Sequence, residues 1–149
     1  MATIPLPPDF SEFLRLLNEN EARYLLVGGY AVGYHGYVRA TADMDVWVAR
    51  DNENAERLVA TLQEFGFGVE DLNPELFLEE GRVIRMGVPP VRIEVLTSVS
   101  GVDFDECYED RIVERWDDVQ VNIISLPKLK GNKRASGRLK DLADLDYLE

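Results

Sequence analysis

Tyr24-Leu25-Leu26-Val27-Gly28-Gly29, followed after thirteen residues by Asp43-Met44-Asp45-Val46-Trp47-Val48, is the passage that decides the fold. An apolar run ending in two glycines reads as a buried strand entering a tight turn. Tyr30–Tyr34 then reads as a short helix closed by Gly36. Asp43–Val48 alternates polar and apolar residues, the pattern of a half-buried strand. Asp43 and Asp45 lie two apart, so both carboxylates project from one face, with Cα atoms roughly 6.5–7 Å apart. Met44, Val46 and Val48 face the other way and supply core. Two acids on one face repel, which is costly unless a cation or a basic partner sits beside them. The same spacing suits convergence on one or two Mg²⁺ ions, which prefer oxygen ligands. Gly28 and Gly29, lacking Cβ, would let backbone N–H groups approach a phosphate at the positive end of a helix. The plainer reading of the pair is a turn that needs positive φ.

Working outward, Phe10, Phe13, Leu14 and Leu17 recur at helical spacing, with Asp9 or Ser11 as candidate caps. Asp51 or Asn52 opens a helix through Leu58, Val59, Leu62 and Phe65, closed by Gly66. Leu76–Leu78, Val83–Met86 and Val91–Leu96 read as strands, Asp105–Arg111 as a helical turn, and Val119–Ile124 as β-rich. From Leu126 a helix is expected to reach the C-terminus, with a break near Gly137 as the variant reading. In Val91–Leu96, Ile93 and Val95 should face the core, leaving Arg92 and Glu94 opposite. If that strand lies beside Asp43–Val48, Glu94 is a third carboxylate next to the two aspartates. Two further Asp-x-Asp pairs, Asp103/Asp105 and Asp144/Asp146, fall in a turn context and near a helix end, where i and i+2 share no face. No repeat or linker is present, so a single α/β (or α+β) domain over 1–149 is expected.

The 149 residues are long enough to bury a sizeable core, and 46% of them are hydrophobic. One Cys and one His exclude disulfide scaffolds, zinc fingers and His-rich metal sites. A net charge of −12 disfavours non-specific duplex nucleic acid as a partner. Residues 1–8 carry no basic group, and Tyr24–Val38, the longest stretch without charge, is broken by glycines and too short to cross a bilayer. A reduced, cytoplasmic setting without membrane partners is the expectation. The charge is uneven: residues 128–140 hold six basic groups and no acid, while residues 1–127 carry 24 acidic and 10 basic groups. Taken alone, such a basic run is a solvated helix face.

The pattern Gly28-Gly29-Tyr30-Ala31-Val32, His35-Gly36, Arg39, Thr41, Asp43, Asp45 resembles the signature of the DNA polymerase beta-like nucleotidyltransferase superfamily. It is similar to small bacterial members related to AbiEii-type toxins and MNT-type antitoxins. The tail Asn132-Lys133, Ala135, Gly137-Arg138, Lys140-Asp141, Asp144-Leu145 resembles the same group's C-terminal motif. The resemblance runs from about residue 24 to 148. It implies a minimal nucleotidyltransferase fold, a short mixed β-sheet flanked by helices. It also implies transfer of a nucleoside monophosphate from an NTP to a protein or tRNA hydroxyl, with Asp43, Asp45 and Glu94 as catalytic acids: the two aspartates hold Mg²⁺ or Mn²⁺, and Glu94 completes the second metal site or acts as base on the attacking hydroxyl. Gly28, Gly29, Arg39, Thr41, Lys133, Arg138, Lys140 and Asp141 would contact the nucleotide. On one continuous helix, Lys133, Gly137, Lys140 and Asp144 form a stripe, with Lys133 and Lys140 reaching the phosphates and Ala135, Leu139 and Leu142 behind.

Two departures from the family pattern matter. The third acid is Glu where Asp is more usual, and the chain ends soon after the motif, with no large acceptor-binding domain. A cognate toxin or antitoxin protein is an implied partner. The alternative function is a catalytically degenerate module that neutralises a toxin by contact, and a third is an aminoglycoside-modifying transferase. His35 is expected to pack or cap, Cys107 to be a small partly buried residue, and Trp47 to serve the core or an interface.

Overall fold

A computed structural model describes residues 6–36, 43–67, 72–88 and 91–148. In chain order the elements are α1 (Pro8–Glu19), β1 (Tyr24–Val27), α2 (Gly28–Tyr34), β2 (Asp43–Val48), α3 (Asn52–Phe65) and a 3₁₀ turn (Pro74–Phe77). There follow β3 (Val83–Met86), β4 (Arg92–Leu96), α4 (Phe104–Glu109), β5 (Ile112–Trp116), β6 (Val119–Ile123), α5 (Leu126–Ser136) and α6 (Leu139–Leu148). The six strands make one mixed sheet in the order β3-β4-β2-β1-β6-β5. β2 runs parallel to β4 and β1 parallel to β6, and the remaining neighbours are antiparallel. This is the mixed α/β sheet with flanking helices that the motifs implied.

Strand alternation sorts the side chains onto two faces. Cross-strand pairing puts Tyr24, Leu26, Met44, Val46, Val48, Ile93 and Val95 on one face, all of them buried. Phe10, Phe13, Leu14 and Leu17 of α1 and Leu58 and Leu62 of α3 are buried with them. Each such side chain contributes about 1.5–3 kcal/mol on leaving water. Phe13 meets Phe65 edge to face at 5.2 Å, joining α1 to α3. Phe10, Tyr30, Trp116 and Tyr34 form an aromatic chain that carries α2 on the same side. The second face holds Trp47, edge to face with Phe104 of α4 at 5.1 Å, and the acids of β2. Trp47 is therefore core, as expected.

Local chemistry accounts for most boundaries. Asp51 caps α3 by accepting from the Asn54 backbone N–H, and Gly66 closes that helix in the left-handed conformation. Buried Asn54 ties the start of β1 to the end of β2: its amide donates to the carbonyls of Arg23 and Ala49 and accepts from the Arg23 N–H. Asp103 caps α4, so the second Asp-x-Asp pair is a helix start. α1 enters through Pro7 and Pro8 instead of an Asp9 or Ser11 cap, since a proline at the first turn forfeits no helical hydrogen bond.

Two expectations are corrected and one strand is added. Leu76–Leu78 is no strand: Pro74 and the Asn73 side chain, which accepts from the Glu75 N–H, wind this segment into a 3₁₀ turn. A hairpin strand, β5, precedes β6, joined by Asp117-Asp118, both at positive φ, the geometry of a two-residue primed turn. Of the two readings of the C-terminal helix, the one broken near Gly137 holds: Gly137 takes φ 67 and ends α5. The stripe drawn on one helix therefore does not exist, and Leu139, expected on its rear face, is 87% exposed.

Candidate active site

Register assembles the site. Val27, Asp45, Glu94 and Arg85 form one transverse row across β1, β2, β4 and β3. Asp43 and Arg92 are directly paired two residues earlier on the same face. Asp43, Asp45 and Glu94 thus share one sheet face, the adjacency the alternation pattern required. Each flanking acid also faces an arginine. Arg85 Nε donates to Glu94 Oε2 at 2.7 Å, and Arg92 Nη1 lies 3.8 Å from Asp43 Oδ2. Asp45 stands between an aliphatic side chain and another carboxylate.

Its titration reflects that position. Burial pushes the Asp45 carboxyl up, the charges of Glu94 and Asp43 push it further, and Lys140 and Lys133 pull against them, leaving it at about 7. Gly28, at φ 64 where β1 turns into α2, is what admits this carboxylate: a Cβ there would run into Asp45 Oδ2. The room opened by the missing side chain is filled by Asp45, a role the turn chemistry alone does not reveal. Gly29 is buried inside the start of α2.

Across from Asp45 lies the helical tail. A cleft of about 350 Å³ is lined by Val27, Gly28, Asp45, Leu96 at the end of β4, Ser98–Ser100 of the β4–α4 connection, and Asn132, Lys133, Ser136, Arg138 and Asp141. Asn132 donates to the Ser100 carbonyl at 2.9 Å, fixing that connection to α5. Lys133, expected to extend toward phosphates, is only 4% exposed, and its ammonium bonds Asp141 at 3.0 Å and Asp144 at 3.1 Å. Burial alone would raise the Asp141 carboxyl. Hydrogen bonds from Ser136, Arg138 and Lys133, together with the Lys133 charge, outweigh it and bring it down to about 2. Asp141 and Asp144 are thus the buried anchor of the basic tail. Arg138 and Lys140 are the exposed cations of the motif.

Two anticipated contacts, Arg39 and Thr41, lie outside the described residues. Arg85 and Ser136 carry no signal in the sequence, and Arg92 is placed there on the face of Glu94 without a role. Arg85 becomes visible only once β3 and β4 are read as a hairpin with Met86 opposite Ile93. His35 packs, its Nε2 at 2.8 Å from the Ile124 carbonyl and its ring against Tyr34. Cys107 is buried, and burial pushes its thiol up to about 11, away from nucleophilic use.

Among the described residues, no group of three or more His, Cys, Asp and Glu side chains is placed to hold a metal ion. The donor set that fits is smaller: Asp43 and Asp45, with other positions left to water and phosphate oxygens, a common way of holding Mg²⁺. Glu94, the third expected donor, is hydrogen-bonded to Arg85.

No family model matches the chain, and no curated protein matches it. Among solved structures it is similar to the crystal structure of an antigenic nucleotidyltransferase-like protein from Paracoccidioides brasiliensis. The two share 18% identity over 97% of this chain and 78% of that one, with a TM-score of 0.53. The likeness is one of fold: this chain has a nucleotidyltransferase-like fold. Among the described residues no helix is long and apolar enough to cross a membrane.

Proposed function

We propose that the cleft binds a nucleoside triphosphate with a divalent cation, Mg²⁺ or Mn²⁺, and transfers the nucleoside monophosphate to a hydroxyl. The observation that carries this reading is the opposition of charge across one cleft. Asp45, with no basic neighbour in its row, faces a wall whose exposed cations are Arg138 and, nearby, Lys140, with Lys133 held behind them by Asp141 and Asp144. A polyanion carrying its own metal satisfies both walls; a simple anion or a simple cation satisfies one. A divalent ion held by Asp43 and Asp45 would neutralise charge building on the phosphate oxygens.

The chain's own residues then have separable tasks. Gly28 keeps Asp45 seated at the floor, and Arg138 and Lys140 offer exposed charge to the phosphates. Ser98, Ser100 and Asn132 form a polar wall for the rest of the ligand. The acceptor oxygen attacks the α-phosphorus, its proton passing to solvent, as the bond to the bridging oxygen breaks and pyrophosphate leaves. Positioning and charge neutralisation supply the catalysis, as phosphoryl-type transfers demand. The acceptor is a protein or tRNA hydroxyl in the cytoplasm, within a toxin–antitoxin pair, a finer assignment supported by the motif resemblance.

Titration of the purified chain with a non-hydrolysable triphosphate in Mn²⁺ tests the reading. Binding is expected for wild type and lost in Asp43→Asn/Asp45→Asn; a wild type that binds no triphosphate removes the main support. A second reading is favoured by the Glu94–Arg85 bond: a nucleotide-binding module that neutralises a partner by contact without turnover. Neutralisation surviving the double substitution would decide for it.

A further inference from the structure

The carboxylate row contains a cation of its own. Arg85 and Glu94 are direct cross-strand partners on β3 and β4, and their hydrogen bond at 2.7 Å is within the range of a strong charge-assisted contact. The Glu94 side chain is 17% exposed and Arg85 61%, so the acid is sheltered while the guanidinium reaches it from the solvent side. Arg92 Nη1 stands 3.8 Å from Asp43 Oδ2 in the neighbouring cross-strand pair. Glutamate is one methylene longer than aspartate, which helps it reach across to the neighbouring strand. A guanidinium does not lose its proton in proteins, so its charge is permanent. Any dication approaching Glu94 must displace Arg85 or accept its repulsion.

We propose that Arg85 is the fixed positive charge at the third acid, so that the site takes one divalent cation, at Asp43 and Asp45, instead of two. Arg85 is a positioning residue: it holds Glu94 out of coordination and sets the number of metal ions. The inference rests on the nucleotidyl-transfer reading, because it presumes a cation at the two aspartates.

Mn²⁺ alone, counted per chain by electron paramagnetic resonance of the unbound ion, tests it. Wild type should bind one Mn²⁺, lost in Asp43→Asn/Asp45→Asn. Arg85→Gln should release Glu94 and either bind a second ion or hold the first about tenfold tighter, as removal of one nearby positive charge allows. Arg85→Lys, which keeps a charge at that position, should stay with one. Arg85 is largely exposed, and unchanged melting of the variants verifies that they fold. Two ions on wild type overturn the inference while leaving the transfer reading intact, as does an Arg85→Gln variant with unchanged count and affinity. Absence of Mn²⁺ from both wild type and Arg85→Gln overturns the inference together with the reading beneath it.

Discussion

Asp45→Asn should make the metal-free protein more stable while abolishing its cation site. The Asp45 carboxyl titrates at about 7 in the folded chain against 3.8 as an unperturbed group. Below pH 3.8 both states hold the proton and nothing is lost. Between 3.8 and 7 the folded state keeps a proton that the unfolded state releases, so stability falls as pH rises. Above 7 the full cost is present. At 1.36 kcal/mol per pH unit that cost is about 4 kcal/mol, and screening by water in the open cleft lowers it to about 2 kcal/mol. Asparagine keeps the shape beneath Gly28 and removes the charge beside Glu94 and Asp43. For a chain of this size about 2 kcal/mol corresponds to a melting rise of roughly 4–8 °C. Urea and thermal melts of both proteins in EDTA, at pH 5 and pH 8, measure it. The gain should be largest at pH 8 and shrink at pH 5, and Mn²⁺ should stabilise wild type but not the variant. An Asp45→Asn protein no more stable than wild type at pH 8 would refute the account of this carboxylate as electrostatically strained.

Other consequences follow from the same geometry. Gly28→Ala places a Cβ both at positive φ and against Asp45 Oδ2, so a loss of at least about 2 kcal/mol in urea melts is expected, together with weaker Mn²⁺ binding. Lys133→Met strands two buried carboxylates and should cost about 3–5 kcal/mol, whereas Lys140→Met on the exposed surface should leave melting unchanged and weaken triphosphate binding. Asp141, at about 2 when folded and 3.8 when not, contributes stability that is complete above pH 3.8 and lost as pH falls toward 2. Acid titration of an Asp141→Asn variant should therefore lack that part of the unfolding profile. Asn54→Ala removes three hydrogen bonds between chain segments around β1 and β2, and a loss of about 2–3 kcal/mol is expected by the same melts.

What could be read from the residues divides along a physical line. Local alternation placed Met44, Val46 and Val48 in the core and the two aspartates opposite, because period two is a property of the strand itself. The same logic put Glu94 on the face of Asp45 once β4 was assumed to neighbour β2. Long-range pairing is where such reading stops. Arg85 faces Glu94 only through hairpin register, and Lys133 turns inward only because α6 folds back with Asp141 and Asp144. A basic run read as one amphipathic helix predicts exposed lysines. Gly137 breaks that helix, and the break converts one of those lysines into a buried anchor. The strand expected at Leu76–Leu78 failed for a local reason, since Pro74 and the Asn73 cap outweigh a short apolar run.

The two acidic clusters that meet at the cleft show why one of them is the functional candidate. Asp141 and Asp144 are the more deeply buried pair, yet their charge is answered within the chain by the Lys133 ammonium, by Arg138 and by the Ser136 hydroxyl. Nothing external is needed there, and the depressed Asp141 carboxyl records that balance. Asp45 is opposed only at longer range by Lys140 and Lys133, and it is pressed by two neighbouring acids. A fold selected for stability alone would place asparagine or an apolar residue at such a position, because a half-buried charge with only distant opposing charges lowers stability without returning any packing. Glu94 makes the contrast sharper: in the same row, one acid is given an arginine and the next is not. The asymmetry locates the missing positive charge at Asp45, on the side of the row shared with Asp43 and below the basic tail. Under the proposed reading, a cation carried by a triphosphate would meet Asp45 while its phosphates would meet the exposed Arg138 and Lys140.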